Sequence, residues 1–115
     1  MSVHTFIKGI FAFALIIFSF QPLTALAETE EYIIIIKDHR FIPAQVTIPA
    51  NTKVKLIIKN QDPTPEEFES WDFNREKIVA GNSEIKVFVG PLAAGEYKFF
   101  GEFNMSTAQG VLIVE

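Results

Sequence analysis

The 115-residue chain contains no cysteine. That absence excludes disulfides, thiolate metal centres, thiol nucleophiles and iron–sulfur clusters. Histidine is nearly absent too, with His4 and His39 alone, and Trp71 is the single tryptophan. With so few imidazoles most hydrolytic and redox sites are hard to build, no Ser/His/Asp or other nucleophile–base grouping is visible around His39, and an enzymatic activity is not expected. Cations are outnumbered, 10 Lys+Arg against 14 Asp+Glu, for a formal net charge of −4. A nucleic-acid binder would instead show a basic patch or stripe. The sequence has no internal repeat, no low-complexity tract and no convincing amphipathic helix.

The long apolar run is confined to the start of the chain. Met1 to Lys8 carries one Lys and no acid, Gly9 to Phe20 is almost wholly apolar, and Ala25-Leu26-Ala27 ends in small-x-small form. A cationic start, an apolar run of about 7–15 residues and an A-x-A end describe a secretory signal peptide. The run falls short of the roughly 20 apolar residues that a spanning helix needs, and Pro22 follows it. Residues 1–27 are therefore expected to be a cleavable signal peptide, with an uncleaved membrane anchor as the alternative. His4 would leave with it. Residues 28–115 then form one domain, exported to the periplasm.

That domain has 88 residues and nine cations against fourteen acids. A chain this short buries only about 60–65% of its unfolded surface, so its core must be dense. Seven phenylalanines (41, 68, 73, 88, 99, 100, 103) and Trp71 are expected to supply the buried area.

Strand follows strand. Tyr32 to Ile36 is a β-branched run, Gln45 to Ile48 alternates, and Lys53 to Lys59 (KVKLIIK) places Val54, Leu56 and Ile58 on one face. Asn60 to Pro65 is a loop with two prolines, and Glu66 to Trp71 resumes as an extended segment. Ile78-Val79-Ala80, Glu84 to Val89, Tyr97 to Phe103 and Val111 to Val114 complete the series. Short strands with turn residues every 8–12 positions or so predict an all-β, Greek-key β-sandwich.

Three groups of residues invite a chemical reading. In an extended segment Glu67 and Glu69 share one face while Phe68 points to the core; the pair can hold a cation or form a solvated acidic face. Gly101 to Gly110 connects the last two strands, at an end of the sandwich where binding residues collect. Within it Met105 is either a soft thioether ligand or, with Phe103, a plug for the top of the core. His39, in a polar break, reads more simply as a surface residue than as a ligand.

The segments FIPAQVTIPANTKVKLIIKNQDPTPEEFES and GPLAAGEYKFFGEFNMSTAQGVLIVE resemble the cupredoxin superfamily, and within it the small periplasmic cupredoxin-like proteins of the EfeO type found beside bacterial iron-permease systems. Phe41-x-Pro43, Ile48-Pro49-Ala50, Asn60-x-Asp62, Glu67-Phe68-Glu69-Ser70 and Gly95-x-Tyr97-x-Phe99 carry the likeness, over about Asp38 to Val114. The resemblance implies a metal site at one end of the sandwich. Blue-copper members place one His after the Asn-x-Asp loop, then Cys, His and Met around the last two strands. Here the first position falls at Glu66 or Glu67, the second near Phe100 or Gly101, the third at Asn104 and the fourth near Ala108, with Met105 displaced from it. A His2Cys type 1 blue-copper centre is excluded by residue type. Relatives that carry GEFH differ from this chain at Asn104.

The donors left to converge are Glu67, Glu69, Glu102 and Met105. Carboxylates suit Fe(III) or Cu(II), and a thioether suits Cu(I). The expected function is a periplasmic metal-binding accessory protein, copper first and iron second, partnered with a membrane iron permease or other components of the same uptake system. The alternative is a metal-free cupredoxin-fold module that docks on a membrane transporter.

Overall fold

The isoleucine run forms the middle of β1 (Glu31–Lys37), and its alternation settles which side chains enter the core. Ile34 and Ile36 are buried while Ile33 is exposed. The computed structural model describes residues 28–115, so the signal-peptide reading of residues 1–27 lies outside the described residues. β2 (Arg40–Ile42), β3 (Gln45–Ile48), β4 (Val54–Asn60), β5 (Glu66–Ser70), β6 (Arg75–Val79), β7 (Ser83–Val89), β8 (Gly95–Gly101) and β9 (Gln109–Val114) follow. One four-stranded sheet runs β2-β1-β4-β7 and a five-stranded sheet runs β3-β9-β8-β5-β6. We call them sheets A and B. The chain passes from A to B between β2 and β3, across Pro43-Ala44, so the two sheets share one all-β core.

Phe41, Phe68 and Phe99 meet at its centre. The Phe41 and Phe99 rings lie 5.0 Å apart edge-on, and Phe68 sits 5.2 Å from Phe99. Such geometry adds about 0.5–1.5 kcal/mol per pair beyond area burial. β9 crosses so close to Phe99 that a Cβ on Gly110 would stand 2.2 Å from its ring.

Not every expected aromatic is inside. Phe41, Phe68, Phe73, Phe99 and Phe100 are buried, but Trp71 is 75% exposed, and Phe88 and Phe103 are exposed as well. Phe88 occupies an outward register position opposite Lys55. Trp71 stands in the turn after β5, with its ring edge against Phe100 at 5.1 Å. Met105 is also exposed, so neither it nor Phe103 plugs the core.

The Asn60-x-Asp62 loop has a structural task. Asp38 and His39 both have positive φ, 52° and 59°, in the two-residue turn between β1 and β2. The Asp62 carboxylate accepts both of their backbone N–H groups, at 2.8 and 2.9 Å. Burial pushes this carboxyl up, but those two donors and the nearby His39 and Lys37 charges outweigh it and hold the group below the ordinary aspartate range. Asp62→Ala should therefore destabilise the domain by about 2 kcal/mol at neutral pH. Because the folded-state pKa is lowered, Asp62 stabilises the fold above its unfolded pKa, and that contribution is lost as pH falls through the folded value. Urea denaturation of both proteins at pH 7 and at pH 3 checks it: the gap should narrow in acid.

Along one side the sheets are joined by side chains. Arg75 donates from Nε to the Phe88 carbonyl at 2.8 Å, and Lys77 Nζ reaches the Lys86 carbonyl at 3.4 Å. Both bonds run from β6, the edge of sheet B, to β7, the edge of sheet A.

Candidate metal centre

β5 alternates, and its inward positions are Glu66, Phe68 and Ser70, all at most 2% exposed. A carboxylate thus enters the core at the end of the sandwich. Its oxygens are met by protein donors. Oε1 accepts the backbone N–H groups of Glu67 at 2.9 Å and Phe103 at 2.8 Å, and Oε2 accepts Nδ2 of Asn104 at 2.8 Å. Gly101 leaves the room: a Cβ there would lie 2.6 Å from Glu66 Cδ and 2.7 Å from Ala108 Cβ. The loop closes through Gly101 N–H to the Ala108 carbonyl, 2.9 Å, and Ala108 N–H to the Asn104 carbonyl, 2.8 Å.

Glu66, Gly101, Asn104 and Ala108 are the positions at which the resemblance sets the blue-copper ligands. They do converge, and the open choices resolve to Glu66 over Glu67 and to Gly101 over Phe100. The pocket does not suit a copper ion, however. It offers no sulfur and no imidazole, and the Glu66 carboxylate occupies its centre with both oxygens hydrogen-bonded.

The outward side of β5 carries a second group. Glu67, Glu69 and Glu76 each offer a carboxylate oxygen, and these atoms lie within 4.8 Å of one another. Glu67 and Glu69 are two apart on one strand, and Glu69 stands directly opposite Glu76 in the β5–β6 register. Like charges placed so are destabilising when nothing lies between them. Glu69 is only 7% exposed. Its Oε2 accepts the indole N–H of Trp71 at 2.7 Å; its Oε1 is buried without a hydrogen-bond partner. The Glu102 carboxyl beside it raises the Glu69 pKa most, burial adds to that, and the Trp71 donor opposes it, so Glu69 titrates above the usual glutamate range.

The structure therefore brings Glu67 and Glu69 together with Glu76, and sets Glu102, on the short 3₁₀ turn Glu102–Asn104, next to Glu69. Met105 follows that turn and lines a separate recess of about 180 Å³ with Trp71, Asp72, Lys98, Phe100 and Gln109. His39 is exposed, and its ring meets Thr64 Oγ1 at 3.5 Å from Nε2. Sequence reasoning missed Glu76. It read Ile78 as the start of the strand, whereas β6 begins at Arg75, after the turn that ends at Asn74 with φ 55°. A tight hairpin between Ser70 and Arg75 would have placed Glu76 across from Glu69. The inward turn of Glu66 was legible in principle, since it shares parity with Phe68.

The fold has solved counterparts. The blue copper protein auracyanin A from Chloroflexus aurantiacus superposes with a TM-score of 0.66 at 15% identity, covering 76% of this chain and 100% of that one. The metal-binding domain of the Cu(I)-exporting P-type ATPase CopA of Streptococcus pneumoniae D39, solved with Cu(I), gives 0.68 at 14% identity, covering 79% and 91%. These likenesses are of fold. In sequence, an uncharacterized protein of Rickettsia prowazekii (strain Madrid E) is 52% identical over 81 residues, 70% of this chain, and the chain spans 65% of that relative's length. The family model for the cupredoxin-like domain matches residues 9–114. With the two-sheet sandwich and the convergence at Glu66, Gly101, Asn104 and Ala108, this makes the chain a member of the cupredoxin-like domain family.

Proposed function

We propose that this chain is an exported metal-binding protein whose cation site has moved from the core pocket to the outer carboxylates Glu67, Glu69 and Glu76, with Glu102 alongside. The observation that carries the reading is Glu69: a nearly buried carboxylate with one unpartnered oxygen, facing like charge. A bound cation supplies what that arrangement lacks. All-oxygen donors suit Cu(II) and Fe(III) and suit Cu(I) poorly. Copper-binding proteins among the structural counterparts support copper as first cargo; the donor chemistry and the likeness to proteins beside iron permeases support Fe(III). Service to a membrane iron permease from the periplasm is the matching role, and the N-terminal apolar run with its Ala25-Leu26-Ala27 end supports export.

Calorimetric titration of the chain should show saturable binding of Cu(II) or Fe(III) with a Kd below about 100 μM. Glu69→Gln should weaken binding at least roughly tenfold, through loss of a charged donor. In the metal-free protein the same change should raise the thermal midpoint, since it removes repulsion and leaves an amide oxygen for Trp71. Because the folded-state pKa of Glu69 is raised, its protonation favours the fold at acid pH, and that gain is lost as pH rises through the folded value. Metal must displace the same proton, so affinity climbs over that range, and Glu69→Gln should flatten the climb. A chain that binds none of these ions would support the metal-free docking module instead, a reading favoured by the filled core pocket.

A further inference from the structure

The opposite side of the sandwich has the reverse chemistry. The outward positions of sheet A, with Lys53 just before β4, carry six cations: Lys37, Arg40, Lys53, Lys55, Lys59 and Lys86. Residues 28–115 contain only nine cations in all. Of their fourteen carboxylates, these outward positions hold two, Glu31 and Glu84. Apolar side chains are interleaved with the cations. Ile33, Ile42 and Phe88 are 49%, 51% and 42% exposed, while Ile35 is half-buried and Ile57, at the same outward parity, is buried beneath its neighbours. The Lys53 and Lys55 ammonium groups lie over the Phe88 ring, 4.8 and 5.5 Å from its centroid. A basic face of this strength on an acidic domain is a segregation of charge, not a sample of the surface.

We infer that the outer face of sheet A docks on an anionic lipid surface. Lysine stems can lie along apolar atoms while their ammonium groups reach lipid phosphates, and each cation near an anionic leaflet strengthens attachment about fivefold. An acidic protein would match the charge alone. Two features select lipid. The first is the set of exposed aliphatic and aromatic side chains between the cations, which have no use in a purely ionic contact. The second is chain connection. β1, which contributes Ile33, Ile35 and Lys37 to this face, begins eleven residues after Phe20, the end of the apolar N-terminal run. Eleven residues span at most roughly 35–40 Å. In the uncleaved, membrane-anchored alternative that connection keeps the domain within reach of the headgroups, and with sheet A docked the Glu67–Glu69–Glu76 side of the sandwich faces away from them, open to its cargo.

The lack of cysteine makes the test clean. Full-length chain carrying Ile33→Cys, labelled with an environment-sensitive fluorophore, is mixed with vesicles of neutral phosphatidylcholine or of phosphatidylcholine with one third phosphatidylglycerol. Ile78→Cys on sheet B, also exposed, is the control. The N-terminal run can attach the chain to either vesicle, so only the probe position and lipid charge are informative. The expected result is a blue shift and lipid-quencher sensitivity at position 33 on anionic vesicles only, with position 78 unchanged, and loss of the signal in 0.5 M NaCl as the ionic attraction is screened. Lys55 is paired with Glu31 at 3.0 Å, so the substitutions are Lys53→Gln/Lys59→Gln/Lys86→Gln, which should weaken the response roughly 100-fold. The salt arm needs no substitution, so it stands even if that variant folds poorly. The inference is overturned if position 33 does not respond to anionic vesicles, or if both positions respond alike. It is overturned equally if soluble polyglutamate, or more of the chain without lipid, shifts position 33 as strongly, which would mean an acidic partner or self-association.

Discussion

Phe99→Ala should cost about 3–5 kcal/mol, read as a lower urea midpoint with an unchanged slope. The whole domain has roughly 4–13 kcal/mol to lose at the usual 0.05–0.15 kcal/mol per residue, so the variant stands near the edge of folding. The reason is position. Phe99 touches Phe41 from sheet A and Phe68 from sheet B, and no disulfide holds the two layers if their aromatic centre is emptied. Gly110 supplies an internal check. Gly110→Ala alone drives a methyl into the Phe99 ring, 2.2 Å away, and should be strongly destabilising. In the Phe99→Ala background the same methyl has a cavity to enter. The two effects should therefore be far from additive, as expected for residues sharing one space. A cost below about 1 kcal/mol for Phe99→Ala would mean that the ring is not packed between the two sheets as described.

Glu66→Ala is expected to cost about 4 kcal/mol, for a different reason. It leaves the N–H groups of Glu67 and Phe103 and the amide of Asn104 facing a hole, and groups bonded to a carboxylate lose more than neutral pairs do. Glu66→Gln keeps the shape but turns an NH₂ toward one of those donors, so about 2 kcal/mol is expected. Neither change removes a carboxylate of the outer cluster, and Glu66→Gln keeps an oxygen that can hold the Glu67 N–H. Thermal melts and Cu(II) titration of Glu66→Gln together separate the two carboxylate sites: the midpoint should fall while the affinity holds. If the affinity falls with it, the buried carboxylate belongs to the metal site after all.

Much of this fold is written in side-chain parity. The alternation in KVKLIIK placed Val54, Leu56 and Ile58 on one face, and that face is the one that enters the core, because the side-chain period of a strand is two. Parity fails at the ends of strands. Trp71 was expected inside for its size, but it lies beyond the last paired residue of β5, where no alternation applies. The candidate site was legible in part for the same reason. Glu67 and Glu69 are neighbours along one strand, a local fact. Glu76 joins them by register across a hairpin, and register depends on where the turn begins. The convergence around Glu66 was visible only through the family likeness, since position 66 lies 35 residues before the loop that carries 101, 104 and 108 and no local rule links the two.

The reach of Arg75 and Lys77 from one sheet to the carbonyls of the other has an effect beyond this molecule. Open sheet margins are templates on which further chains can add. Here the carbonyl row of Phe88 and Lys86 is already engaged by cations from across the seam. A would-be invading strand meets positive charge where it needs free acceptors, so polymer growth from this flank is blocked by two side chains rather than by a cap or a covalent bond.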